Sequence, residues 1–185
     1  MAGIETIEEF VQDATRAQAA GFGASCAERA VSILFWVVSE DGRTSDLEAY
    51  TGALETLWKY SEVAASELRE RQVGIMKLRE LTVGDDVSGA RAFAYQGAVT
   101  LYTALEVCAG GDAIRDCSST LRNFSFRLGR RCGVELLPGE DQVQYQDATD
   151  LISDSADQPE LMGRLRERSA AIGRSWLALA VQHLG

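Results

Sequence analysis

The chain has 185 residues, with 28 acidic and 18 basic side chains and a formal charge of −10. Hydrophobic residues make up 46% and charged residues 25%, a globular composition that excludes a disordered tail, a collagen-like repeat and a disulfide miniprotein. The acidic balance argues against direct nucleic-acid binding and against anionic membrane surfaces, both of which need cationic surface, and permits a basic partner.

Only two prolines, Pro138 and Pro159, interrupt a chain in which alanine and leucine together number 44, which favours helix over strand. Ile4, Ile7, Phe10 and Ala14 recur at helical spacing and predict a first helix to about Ala20, with Gly21-Phe22-Gly23 as a break. A second helix is expected over 24–39; it is apolar nearly all round through Ala30, Ile33, Leu34 and Val37, and so reads as the central buried helix. After the turn Glu40-Asp41-Gly42-Arg43, Thr44 or Ser45 is expected to cap a helix with Leu47, Tyr50, Leu54, Leu57 and Trp58, Ser45 with Glu48 reading as a capping box. The helical pattern continues to about Leu81, with a kink near Ser61. Ser88 is expected to cap a helix ending at Cys108, and Asp112 the next one, through Leu128. The stretch 133–139 reads as a loop, followed by a helix over about 141–156. Pro159 sits at a first-turn position of the last helix, where its missing N–H costs least. With no interdomain linker, repeat or alternating strand pattern, the chain is expected to form a single all-α domain over 1–185, an antiparallel bundle of about six to eight helices.

The segment Ala24-Ser25-Cys26-Ala27-Glu28-Arg29-Ala30, the later Leu47, Leu54 and Leu57-Trp58, and the small-residue helix from Ala90 to Leu105 before Gly110-Gly111-Asp112 carry a resemblance. Over about half the chain they resemble the YjaG-like family of small all-helical bacterial proteins of unknown function. That resemblance implies a helical fold and supplies no catalytic residue.

The cysteines, Cys26, Cys108, Cys117 and Cys132, form no C-x-x-C pair and have no histidine nearby in sequence, which argues against a zinc site. The opening Met1-Ala2-Gly3-Ile4-Glu5 has neither a basic nor an apolar signal region, and the longest apolar run, 30–38, is too short to span a bilayer. A reduced, cytoplasmic protein with buried thiols is the expectation. The sole histidine, His183, lies near the terminus and suits neither a Ser-His-Asp nor a Cys-His site. Gly21-Phe22-Gly23 starts like a dinucleotide loop but follows a helix and has Cys26 where the third glycine belongs. No catalytic set and no cofactor motif emerges.

Two constellations stand out. Glu28-Arg29 lies inside the most apolar helix, its side chains about 100° apart, so the two need partners on other helices. They read either as a structural ion-pair network or as a polar centre in a ligand cleft. Asp147, Asp150, Asp154 and Asp157 follow steps of three, four and three, so they form one helical stripe, expected to face outward opposite Tyr145, Ala148, Ile152 and Ala156. The stretch from Cys132 to Gly163 holds eight acids and no base. Repulsion along such a stripe costs a few tenths of a kcal/mol per pair. A basic protein partner, a divalent metal faced by Asp112 and Asp116, or arginines of the same chain (Arg122, Arg127, Arg130 and Arg131) could offset it. The stripe is assigned to partner binding. The leading functional expectation is a non-enzymatic acidic binding protein, specifically an immunity-type inhibitor of a basic toxin such as a nuclease. The alternatives are an Asp-rich metal-dependent helical enzyme acting on a phosphate or diphosphate, and a helical scaffold or regulatory subunit.

Overall fold

The computed structural model describes residues 7–83, 88–153 and 159–185. Among the described residues there are nine helices and no strand: α1 (Ile7–Asp13), α2 (Arg16–Glu40), α3 (Thr44–Trp58), α4 (Ala65–Met76), α5 (Arg79–Val83), α6 (Ala90–Cys108), α7 (Ile114–Cys132), α8 (Leu137–Ser153) and α9 (Pro159–Leu184). The all-α bundle expected from periodicity is what forms, with two short helices, α1 and α5, added to seven longer ones.

Helix α2 is the axis. It packs against α3, α6, α7, α8 and α9, and its residues from Ala20 to Ala27 are all buried. By length and mean hydropathy, 1.3 over its most apolar window, α2 could cross a membrane, but 78% of that window is buried inside the bundle. Its apolar character is spent on neighbouring helices. The core continues through Leu101, Leu105, Leu121, Phe124 and Leu161, and Phe124 stacks on Trp176 at 5.4 Å between centroids.

The break expected at Gly21-Phe22-Gly23 lies inside α2 instead. The chain turns earlier, at Thr15, whose hydroxyl accepts from the Gln18 N–H while the Gln18 side chain accepts from the Thr15 N–H. A Cβ on Gly23 would meet Ala104 at 3.6 Å, an ordinary van der Waals contact, whereas Gly21 admits neighbours at close range, since a Cβ there would lie 2.9 Å from Leu151. The same device recurs where α6 and α9 meet α2. A Cβ on Gly97 would fall 2.8 Å from the Ala30 carbonyl oxygen, and one on Gly173 2.7 Å from the Ser32 hydroxyl.

Three expected side-chain caps are not used. Helix α3 begins after Arg43, α6 after Gly89 and α7 after Ala113, none with a side-chain capping bond. Packing of the apolar faces fixes these helices, as is usual for helices within a folded core. The pattern read as one element to Leu81 divides into α3, α4 and α5. Helix α8 starts at Leu137, taking Pro138 into its first turn, where proline is tolerated, and so absorbs the end of the expected loop.

The glycine contacts give a paired prediction. Gly97→Ala should destabilise the fold by about 1–3 kcal/mol, because the added methyl meets backbone. Gly74→Ala, in α4 with nothing within 4 Å of the new methyl, should stabilise by about 0.5–1 kcal/mol. Urea unfolding midpoints check both signs.

Candidate functional site

The polar centre of the molecule lies where α2, α8 and α9 meet. The side chains of Arg29, Glu140 and Asp147 are all 0% exposed. Arg29 Nη1 donates to Asp147 Oδ2 at 2.6 Å, to the Ser25 hydroxyl at 2.9 Å and to the Ser169 hydroxyl at 3.2 Å. Its Nη2 donates to Glu140 Oε1 at 3.1 Å. Ser25 in turn donates to Asp147 Oδ2 at 2.5 Å. A second cation, Arg168 of α9, reaches in from the half-exposed edge: its Nη2 donates to Asp147 Oδ1 at 2.5 Å and to Asp150 Oδ2 at 2.8 Å. Gln144 donates to Glu140 at 2.9 Å and to the Ser118 carbonyl at 3.3 Å, while the Ser118 hydroxyl donates back to Gln144, which ties α7 to the same centre.

The electrostatics follow from burial. Two guanidinium groups face two buried carboxylates, which matches the charge of the buried centre, and Asp150 adds a third carboxylate at the rim. Burial pushes the Glu140 carboxyl up against the pull of Arg29 and Gln144. Burial opposes the charge on Arg29, but Glu140 and Asp147 outweigh it and hold the guanidinium more firmly protonated than usual. Arg29 Nε, Glu140 Oε2 and Arg168 Nε are buried without a hydrogen-bond partner among the described residues.

This geometry corrects the outward-facing aspartate ridge. Asp147 is buried, Asp150 is half-buried and both are paired with arginines of the same chain. The stripe faces inward at this end because α8 buries Glu140, Gln144, Asp147, Ala148 and Leu151 together, whereas Tyr145, expected on the inner side, is exposed. Asp154 and Asp157 lie outside the described residues. The counter-ions also differ from those expected. Arg29 and Arg168 supply them, while Arg122 pairs with Asp141 at 2.7 Å on the surface. Among the described residues no group of three or more His, Cys, Asp or Glu is placed to hold a metal ion. The four cysteines are buried free thiols, and burial raises the Cys26 thiol well above its ordinary value.

Of the two readings of Glu28-Arg29, the ion-pair network is the one that forms. Glu28 points away from Arg29, accepts from Trp58 Nε1 at 2.6 Å and lies 3.6 Å from Arg166 of α9. Arg166 also forks onto Glu55 and stands over the Trp58 ring at 5.9 Å. One dipeptide of α2 therefore holds α3 on one side and α8 with α9 on the other. A second polar pin, unread in the sequence, joins Arg43 and Tyr50 to Glu80. Burial alone would raise the Glu80 carboxyl, but bonds from those two side chains hold it below the usual range.

Ser25, Glu140, Gln144, Arg168 and Ser169 are the members of the centre that sequence reading passed over. A signal was present: Glu140, Gln144 and Asp147 are in phase with Leu151 at helical spacing, so they share a face with an obvious core residue. The chain matches no family model, no curated protein and no solved structure.

A test distinguishes the inward centre from an outward ridge. Asp147→Asn should destabilise by about 3–5 kcal/mol, because it removes one of the two carboxylates that hold the buried Arg29 guanidinium, the one that Arg168 also shares. Asp150→Asn should cost no more than about 1 kcal/mol, as a partly exposed pair. An outward ridge would instead be slightly stabilised by both changes. Chemical denaturation of the two single variants measures the difference.

Proposed function

We propose that this protein works by binding and not by catalysis: a cytoplasmic, acidic helical binding protein, in its most specific form an immunity-type inhibitor of a basic toxin. The observation that carries the reading is the commitment of its most chemically suggestive side chains. Asp147, Glu140 and Arg29 are closed within the bundle and bonded to one another, so they serve the fold. Asp150, the rim carboxylate that a metal-dependent site would use, is held by Arg168. What the chain offers a partner is its outer surface.

The net charge supports a cationic partner, with a qualification about where the charge resides. Among the described residues the exposed side chains include thirteen acids and fourteen bases, a near balance. The acidic excess sits in the core, with Glu80, Glu140 and Asp147 against Arg29, in the half-buried shell, with Glu28, Asp41, Asp46, Glu55, Glu106, Asp141 and Asp150, and in residues outside the described set, Asp154 and Asp157 among them. A partner of opposite sign is then drawn in by the field of the whole molecule, which acts on the approach more than on the final contact. Within the aspartate stripe, Asp154 and Asp157 are the partner-binding candidates, since Asp147 and Asp150 are held by arginines of the same chain.

The experiment is capture of a partner on the immobilised protein from lysate of the cells that express it, followed by binding kinetics. The expected partner is basic, and its association rate falls steeply between about 50 mM and 500 mM salt as screening shortens the field. Asp154→Asn with Asp157→Asn should slow association further without lowering stability. A neutral or acidic partner, or association indifferent to salt and to those two changes, overturns the reading.

A further inference from the structure

The C-terminal end of α7 carries a cluster of positive charge. Arg127, Arg130 and Arg131, in the last two turns of α7, line a concavity of about 490 Å³ together with Phe126, Ser88, Gly89, Ala92 and Phe93. All three arginines are exposed, and among the described residues none has a carboxylate partner, unlike Arg29, Arg43, Arg91, Arg122, Arg166 and Arg168. Cations near a helix C-terminus are favoured by its dipole, which accounts for Arg130 and Arg131 singly. It does not account for a third arginine a turn earlier, because like charges at these spacings repel. Nor does it account for Phe126, whose ring is 46% exposed with the Arg130 guanidinium 5.8 Å from its centroid. An exposed aromatic ring flanked by unpaired guanidinium groups offers a stacking surface and an anion clamp side by side.

The concavity is also backed by the core. Phe93, a buried lining residue, packs edge-on against Phe124 at 5.5 Å, and Phe124 stacks on Trp176. The wall opposite the arginines is the start of α6, a 19-residue helix whose N-cap, Gly89, has φ +63° and makes no side-chain cap. That helix end adds partial positive charge to a site already defined by the three arginines.

From this arrangement we propose that the α6–α7 concavity is a binding site for a small phosphorylated molecule with a planar ring, a mononucleotide in chemical class, with the ring on Phe126 and the phosphates on Arg127, Arg130 and Arg131. The volume falls in the range of small-ligand sites. The three arginines form one compact patch on a molecule of net charge −10, which suits a short polyanion better than a long nucleic-acid strand. The site is independent of the partner reading above.

Isothermal titration calorimetry on the full chain, with ADP, adenosine and pyrophosphate as separate probes, tests it. The expected result is saturable ADP binding that is at least about tenfold tighter than either adenosine or pyrophosphate and that weakens as salt is raised. Arg127→Gln with Arg131→Gln should weaken ADP at least about tenfold, whereas Arg115→Gln, exposed at the far end of the same helix, should leave it unchanged. Phe126→Ala should weaken ADP and leave pyrophosphate unaffected. Melting curves confirm that each variant is folded, and the salt dependence of the unmodified chain stands as a second readout. Absence of saturable ADP binding at millimolar concentration, equal affinity for ADP and pyrophosphate, or indifference to the arginine changes overturns the proposal.

Discussion

Taking the Arg29 guanidinium out of water costs several kcal/mol even after relaxation, and the bundle offsets that cost by bringing two carboxylates and two serine hydroxyls to it from three helices. Ser25 and Arg29 lie one turn apart on α2, Glu140 and Asp147 two turns apart on α8, and Ser169 on α9 closes the set. None of these groups is tolerable in the core alone. Helices α8 and α9 must therefore dock on α2 in one register, and the close approach at Gly173 is part of the same constraint, since a side chain there would hold α9 away from the Arg29 and Glu28 carbonyls. The apolar packing supplies the drive to fold; the buried ions select among the ways helices of this size could pack.

The same interaction reassigns the acidic stripe. Four aspartates in a base-free stretch look like a surface feature when the partners are 118 residues away in sequence, as Arg29 is from Asp147. Once Arg29 and Arg168 are in place, the repulsion between Asp147 and Asp150 becomes attraction to shared cations. Net charge is a poor guide to surface charge here for the same reason: three acids, Glu80, Glu140 and Asp147, are buried, each bonded to an arginine, while unpaired arginines remain on the outside. An acidic protein can in this way present a basic concavity.

How much of this could be read from the residues divides along a physical line. Periodicity carried the helical class, the central role of α2 and the placement of α6, α7 and α9, because a helix shows its buried face at each turn. Boundaries were less legible. The glycines at 21 and 23 read as a break but lie inside α2, where Gly21 lets Leu151 of α8 and Met162 of α9 approach closely, and Ser45, Ser88 and Asp112 read as caps in helices fixed by packing. The polar centre was half legible. Glu28-Arg29 announced a need for partners, but a need does not identify who meets it, and the answer depends on contacts between elements more than a hundred residues apart. The phase of Glu140, Gln144 and Asp147 with Leu151 was the one local clue, and it pointed inward.

The central claim is that Arg29 and Asp147 act as a unit, and a double-mutant cycle measures that most directly. Arg29→Met and Asp147→Asn should each destabilise strongly, yet on the Arg29→Met background Asp147→Asn should cost far less than it does alone. The account predicts a coupling of at least about 2 kcal/mol from urea unfolding of the four proteins. Costs that add within about 0.5 kcal/mol would mean that the two side chains do not depend on each other, and would contradict it.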